Sequence, residues 1–419
     1  MQDRIEKITL PNGVRIVFER LPYVRSASVG VWVKSGSRHE RPSESGVSHF
    51  IEHMVFKGTP RRTAAELAEL TDSVGGQLNA FTTKEYTCFY ARVLDSHMDQ
   101  ALDALCDLFF NARFDDADVA TELGVILEEI SMYEDSPEDL VMERLFAAVY
   151  RGTSVGRPIL GRPQVLRRQT GESLKRYMKE NYGPKETVIA LSGSFSDKDV
   201  EYLKAQFAGM EGKSRRLGKP VVYRPAFTVR RKSIEQNHVE IAFPGIPFNS
   251  PERYAMQLLS SILGGGVSSR LFQSVREKEG LCYSVYTFGA GHEDTGVFGI
   301  YTALGRETER QALELISREV RRFASEGVTD AELLRAREQV KANVLMGMES
   351  TAARMNHLAR SELYLEKHLG EEEIIAAYDA VTPEQIRALA ARTFDFERIS
   401  LSAVGRVRTA EEYRQILLS

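Results

Sequence analysis

The 419-residue chain is poor in cysteine: Cys88, Cys106 and Cys282 are three in all, odd in number and far apart. That excludes a disulfide scaffold and a cysteine-based zinc site. No uninterrupted apolar run approaches a membrane span. The charge balance is also thin, at -4 overall, so no large basic surface for nucleic acid is present. The short patch Arg230-Arg231-Lys232 reads as a solvated strand end. What remains is an ordinary globular composition, 42% hydrophobic and 27% charged, with enough apolar material for two cores and no sign of disorder. The opening stretch MQDRIEKITLPNGVRIVFE alternates apolar and polar residues around Pro11-Asn12-Gly13. It predicts a hairpin and contains no apolar signal core, so a cytoplasmic location is the expectation.

One pattern occurs twice. In the first half, strand SASVGVWVKSG leads into helix VSHFIEHMVFKG, a second helix, the strand pair within GQLNAFTTKEYTCFYARVL, another helix and a long helix near ADVATELGVILEEISMYE. In the second half, NHVEIAFPGI, ERYAMQLLSSILGG, CYSVYTFGAGHEDTGVFGIYTAL and DAELLRAREQVKANVLMGME repeat that order. Both halves close on two helices and a strand ending in Gly. Period-2 strands mixed with period-3.6 helices predict an α+β fold: two tandem homologous domains, each an antiparallel-rich sheet covered by helices on one face. The Gly-, Pro- and Arg-rich stretch around Gly218 places the boundary between domains 1–217 and 218–419. Gly264-Gly265-Gly266 follows a helix and lacks the lysine of a phosphate-binding loop, so it reads as a helix-to-helix turn.

Within SGVSHFIEHMVFKGT, Val47, Phe50, Ile51, Met54 and Val55 form one apolar face of a helix ended by Gly58. His49, Glu52 and His53, at i, i+3 and i+4, form the other. Two imidazoles one turn apart can share a metal, and His-x-x-Glu-His is a known zinc-peptidase spacing. The alternative is a polar helix face with histidines by coincidence. On the long helix, Leu123, Ile126, Leu127 and Ile130 make an apolar face, and Glu122 and Glu129 lie two turns apart on one side. Taken alone, those two glutamates read as a solvated face.

Together, HFIEHMVFKGT, GGQLNAFTTKEYT and ELGVILEEI resemble the insulinase/pitrilysin family of zinc peptidases, in its processing-peptidase branch. The resemblance runs over nearly the entire chain. It implies that His49, His53 and Glu129 hold one Zn²⁺ per chain, that Glu52 is the general base, and that Glu122 assists by orienting a ligand. In the second half it carries over Arg276 and Tyr283 as supports of the substrate carbonyl. Without it they read as a surface cation and a core aromatic. It matches Asn79, Ala80 and Phe81 to a peptide-docking edge strand; an interior strand is the other reading of that segment. The implied activity is endopeptidase cleavage of unfolded or presequence-like peptides by a homodimer, since family chambers contain four such domains. Some relatives are non-catalytic peptide-binding or partner subunits of hetero-oligomeric processing peptidases. Those typically lose a ligand or the base, and neither is lost here.

Overall fold

Alternating apolar residues build eleven strands, and the computed structural model describes them within residues 5–212 and 220–419. The expected boundary between residues 217 and 218 lies outside the described residues. The chain divides into two compact units. One comprises Met1–Ile130, Arg157–Lys219 and Met346–Gly370; the other comprises Ser131–Gly156, Pro220–Leu345 and Glu371–Ser419. These depart from the contiguous halves 1–217 and 218–419 by two segments, each of which belongs to the unit built mainly from the other half.

The first unit holds β1 (Ile5–Thr9), β2 (Arg15–Arg20), β3 (Ser26–Val33), β4 (Gln77–Thr82), β5 (Thr87–Leu94) and β6 (Thr187–Gly193), in the order β1-β2-β6-β3-β5-β4. The predicted hairpin is β1–β2, with Gly13 at φ 103 in its turn. The second unit holds β7 (Phe227–Arg231), β8 (Asn237–Pro244), β9 (Cys282–Gly291), β10 (Gly296–Leu304) and β11 (Ser400–Gly405), in the order β7-β11-β8-β10-β9. Apart from β1, the two orders are the same. Each sheet is antiparallel except for one parallel pair, β2 with β6 and β7 with β11.

The expectation of helices on one face is corrected by the packing. In the first unit, Ile16, Val29, Val31, Phe89 and Ile189 face the main core. The alternate residues Val17, Trp32, Cys88, Val188 and Ala190 face Met355, Leu358, Ala359 and Leu363 of helix Thr351–Leu365. Both faces of the sheet are apolar, so both require cover. Lys7 and Arg15 pair with buried Glu362, and Arg354 pairs with Glu19 at 2.7 Å, fixing that helix on the sheet. In the second unit, helix Pro137–Val149 plays the same part. Leu145 and Val149 join the cluster of Ala242 and Val297, while Val141 joins that of Tyr301 and Val404. The helix that follows each long helix therefore covers the sheet built mainly from the other half of the sequence, within the unit to which that sheet belongs. A contiguous-domain reading of the sequence has no means of finding this exchange.

Smaller expectations follow the same physics. Arg230 and Arg231 are solvent-exposed at the end of β7. Helix Arg253–Gly264 ends at the glycine cluster. Among the described residues, no helix is long and apolar enough to cross a membrane.

Candidate metal centre

The histidine helix spans Val47–Met54 and passes into a tighter turn, Val55–Lys57, before Gly58 at φ 112. Its apolar face is fully buried: Phe50, Ile51, Met54 and Val55 are all 0% exposed. That burial fixes the rotation of the helix and presents His49, Glu52 and His53 together on the other side. The His49 and His53 rings stand 4.6 Å apart, edge to face.

The long helix, Asp116–Asp135, buries Ile126 in the same core. This places Glu122 and Glu129 against the histidine helix, while Glu128 is exposed. Glu129 Oε2 lies 3.5 Å from His49 Nε2 and 3.5 Å from His53 Nε2. One ligand atom from each of the three residues falls within 4.8 Å of the others. Zinc bonds to such ligands are about 2.0–2.1 Å long, which puts tetrahedral ligand atoms ~3.4 Å apart, so the donor set fits the ion in type and spacing.

Glu122 is buried and sits beneath this set. Its Oε2 lies 3.1 Å from His53 Nδ1, and its Oε1 is paired with the Lys57 ammonium. Glu122, ion-paired to Lys57, accepts from His53 Nδ1–H, and this leaves His53 Nε2 facing Glu129. His49 differs: its Nδ1 is buried with no hydrogen-bond partner.

The charges follow from these contacts. Burial, with His53 close by, pulls the His49 imidazole down to about 4. Burial also pulls His53 down, but Glu129 and Glu122 outweigh it and leave the ring above its ordinary value. The His53 contact holds Glu129 below the usual carboxylate range. Burial pushes Glu52 up, against Thr82 of β4, which draws it down. One Glu52 oxygen, Oε2, is buried without a partner. A half-desolvated carboxyl of this kind, beside the metal-ligand set, is suited to taking a proton.

Comparison with known proteins gives this geometry a family. The model of the insulinase family, Peptidase family M16, matches residues 15–162, and that of the Peptidase M16 inactive domain matches residues 169–340. The chain is 43% identical to a Bacillus subtilis protein named "Uncharacterized zinc protease YmxG", over 96% of this chain and 99% of that one. The chain belongs to the insulinase family, peptidase family M16. A Streptomyces coelicolor protein, "Uncharacterized zinc protease SCO5738", is 38% identical over 98% of this chain and 91% of its own length. The crystal structure of a peptidase M16 inactive domain from Pseudomonas fluorescens shares the fold at TM-score 0.90 and 20% identity, over 97% of this chain and 99% of that one.

The remaining M16 candidates lie elsewhere in the two units. Among the described residues, β4 is the edge strand of its sheet and pairs with β5 alone. The Ala80 N–H is taken by Asn79 Oδ1 at 2.8 Å. Ala80 packs into the core shared with the histidine helix, whereas Phe81 lies on the opposite face with Tyr86 and Tyr90. Asn79 is exposed. In the second unit, Arg276 lies on a π-helix, Phe272–Lys278. Its guanidinium stacks 4.5 Å over Phe272 and 5.0 Å from the ring of Tyr283, which is 76% exposed on the edge strand β9. Sequence reasoning missed Lys57 and Thr82. Both were visible only as a lysine four residues after His53 and a threonine in the edge strand, with nothing to announce their partners.

Proposed function

We propose that this M16 chain is a zinc-dependent endopeptidase that hydrolyses unfolded or presequence-like peptides. The observation that carries the reading is the convergence of His49, His53 and Glu129 on one point, with Glu52 beside them. The zinc-protease names of its relatives support the choice of metal. When bound, zinc would supply a Lewis acid for the scissile carbonyl and lower the pKa of a water.

The chain's own residues do the rest. His49, His53 and Glu129 would hold the ion. Glu122, itself fixed by Lys57, would keep His53 oriented. Glu52 accepts the proton that the attacking water loses and returns it to the leaving amine as the C–N bond breaks. Its raised pKa makes it a stronger base than a solvated glutamate. Tyr283, with Arg276 stacked on its ring, would donate to the oxyanion as charge gathers on the carbonyl oxygen. The edge of β4 would take the peptide as an added strand through backbone hydrogen bonds, with Asn79 Oδ1 giving way at the Ala80 N–H. The main chain at Asn79, Ala80 and Phe81 would thus bind substrate of varied sequence. Two copies of the chain would supply the four domains of a family chamber, and a cytoplasmic homodimer is the working form in this reading.

The test joins metal analysis to turnover. Purified wild type and Glu52→Gln are compared for zinc content and for cleavage of a quenched unfolded peptide, with and without chelator. The expected result is about one zinc per chain in both and chelator-sensitive cleavage in wild type alone. Zinc in both with cleavage in neither would overturn the peptidase reading in favour of a partner subunit.

A further inference from the structure

The histidine helix has only eight residues, and its N-terminus lacks the usual side-chain cap. Its N-cap residue is Gly46, at φ 95. No side chain can be placed there: a Cβ on Gly46 would lie 2.7 Å from Gly161 Cα and 2.7 Å from Leu160 O. The cap comes instead from Glu40, six residues upstream and 3% exposed. Glu40 Oε2 accepts the Gly46 N–H at 2.8 Å, and Oε1 accepts the Ser48 N–H at 2.8 Å. Both oxygens are used on the first turn, and Ser48 directly precedes the ligand His49. The Arg157 guanidinium donates to the Glu40 carbonyl oxygen, tying the Glu40 backbone down as well.

Burying a carboxyl so completely is costly, and burial pushes Glu40 up to about 7 against the two N–H bonds that draw it down. A helix end needing only satisfied N–H groups could use water or a serine. A buried two-oxygen clamp does something more, because it fixes the translation and rotation of the first turn against the core. Two turns of helix then carry that setting to His49, Glu52 and His53. Ligands held within a few tenths of an ångström require such support.

We propose that Glu40 is a positioning residue for the metal site: its carboxylate clamps the first turn of the histidine helix and thereby sets the spacing of the two imidazoles and of Glu52. This rests on the zinc-peptidase reading above. Both Glu40 oxygens are engaged by the Gly46 and Ser48 N–H groups, so its effect passes through the helix.

The experiment uses the full chain and the isosteric variant Glu40→Gln, which keeps one acceptor oxygen and turns an NH₂ toward the other backbone N–H. Three quantities are measured: the zinc dissociation constant by competition with a chelating dye, kcat and KM separately, and hydrogen exchange across residues 46–57. The expected result is faster exchange in that segment, zinc bound about 10–100-fold more weakly, and a lowered kcat at saturating zinc with KM within about two-fold of wild type. Faster exchange with zinc affinity and kcat unchanged would make Glu40 a structural cap only and overturn the inference, as would unchanged exchange. A wild type that binds no zinc would overturn the peptidase reading and this inference with it. That outcome is distinct, because failure of the inference alone leaves wild-type zinc binding intact. If Glu40→Gln folds poorly, Glu40→Asp, which keeps the charge but retracts it by one methylene, is read in the same way.

Discussion

The two units share a strand order and a parallel pair, yet they bury their ionisable groups differently. In the first, the helix after β3 carries His49, Glu52 and His53, and the buried carboxylates around it are partnered: Glu122 by His53 and Lys57, Glu40 by two backbone N–H groups. In the second, helix Arg253–Gly264 buries Leu258, Leu259, Ile262 and Leu263 and has no histidine or carboxylate after Glu252. Its one fully buried strand carboxyl, Glu240 on β8, has neither oxygen hydrogen-bonded. The same scaffold thus gathers a candidate metal-ligand set in one unit and plain core at the matching helix of the other. What the second copy offers to solvent instead is the Arg276–Tyr283 pair. The sheet is common to both units, while the candidate ligand set, drawn from two helices, lies in the first.

This contrast predicts a division of labour that mutation can break. Glu52→Gln should have the largest effect, lowering kcat about 10²–10⁴-fold with zinc content unchanged. Equal activity in the variant would remove the base from the first unit. Tyr283→Phe should lower kcat by roughly 10²-fold, again with zinc unchanged, as expected for losing one oxyanion donor. A loss of zinc from this variant would contradict the separation of metal binding from oxyanion support. Glu122→Gln should weaken zinc binding about 10–100-fold, since His53 loses its charged orienting partner; competition with a chelating dye measures this directly.

The smallest effect concerns stability. Burial pushes the Glu240 carboxyl up to about 8, against an ordinary value of 4.5. Between those two values the folded chain keeps a proton that the unfolded chain has released. The Glu240 contribution to stability is therefore fullest below pH 4.5 and is lost as pH rises toward 8. Glu240→Gln should remove that slope, leaving Tm nearly unchanged at pH 5 and raising it by a few degrees at pH 8. Parallel pH profiles of Tm for wild type and variant would show the idea wrong.

Local features were legible in the sequence because they depend on local periodicity. Alternation around Pro11-Asn12-Gly13 marked the hairpin, and i, i+3, i+4 spacing separated Phe50, Ile51 and Met54 from His49, Glu52 and His53. Repetition of the element order showed that the sheet is duplicated. The two-turn spacing of Glu122 and Glu129 put them on one side of the long helix, but only resemblance to a family tied that helix to the histidines.

Tertiary structure decided everything that depends on which buried group meets which. It brought Glu129 Oε2 to the same distance from both imidazoles, set Lys57 on Glu122, and capped the histidine helix with Glu40, six residues before Gly46. It also sent Thr351–Leu365 and Pro137–Val149 to sheets built mainly from the other half of the sequence. A sequence displays its own neighbours along the chain, and so it displays helix faces and strand alternation. Partners distant in the chain are selected by the requirement that every apolar face be covered and every buried polar group be answered, and that requirement acts only once the chain has closed on itself.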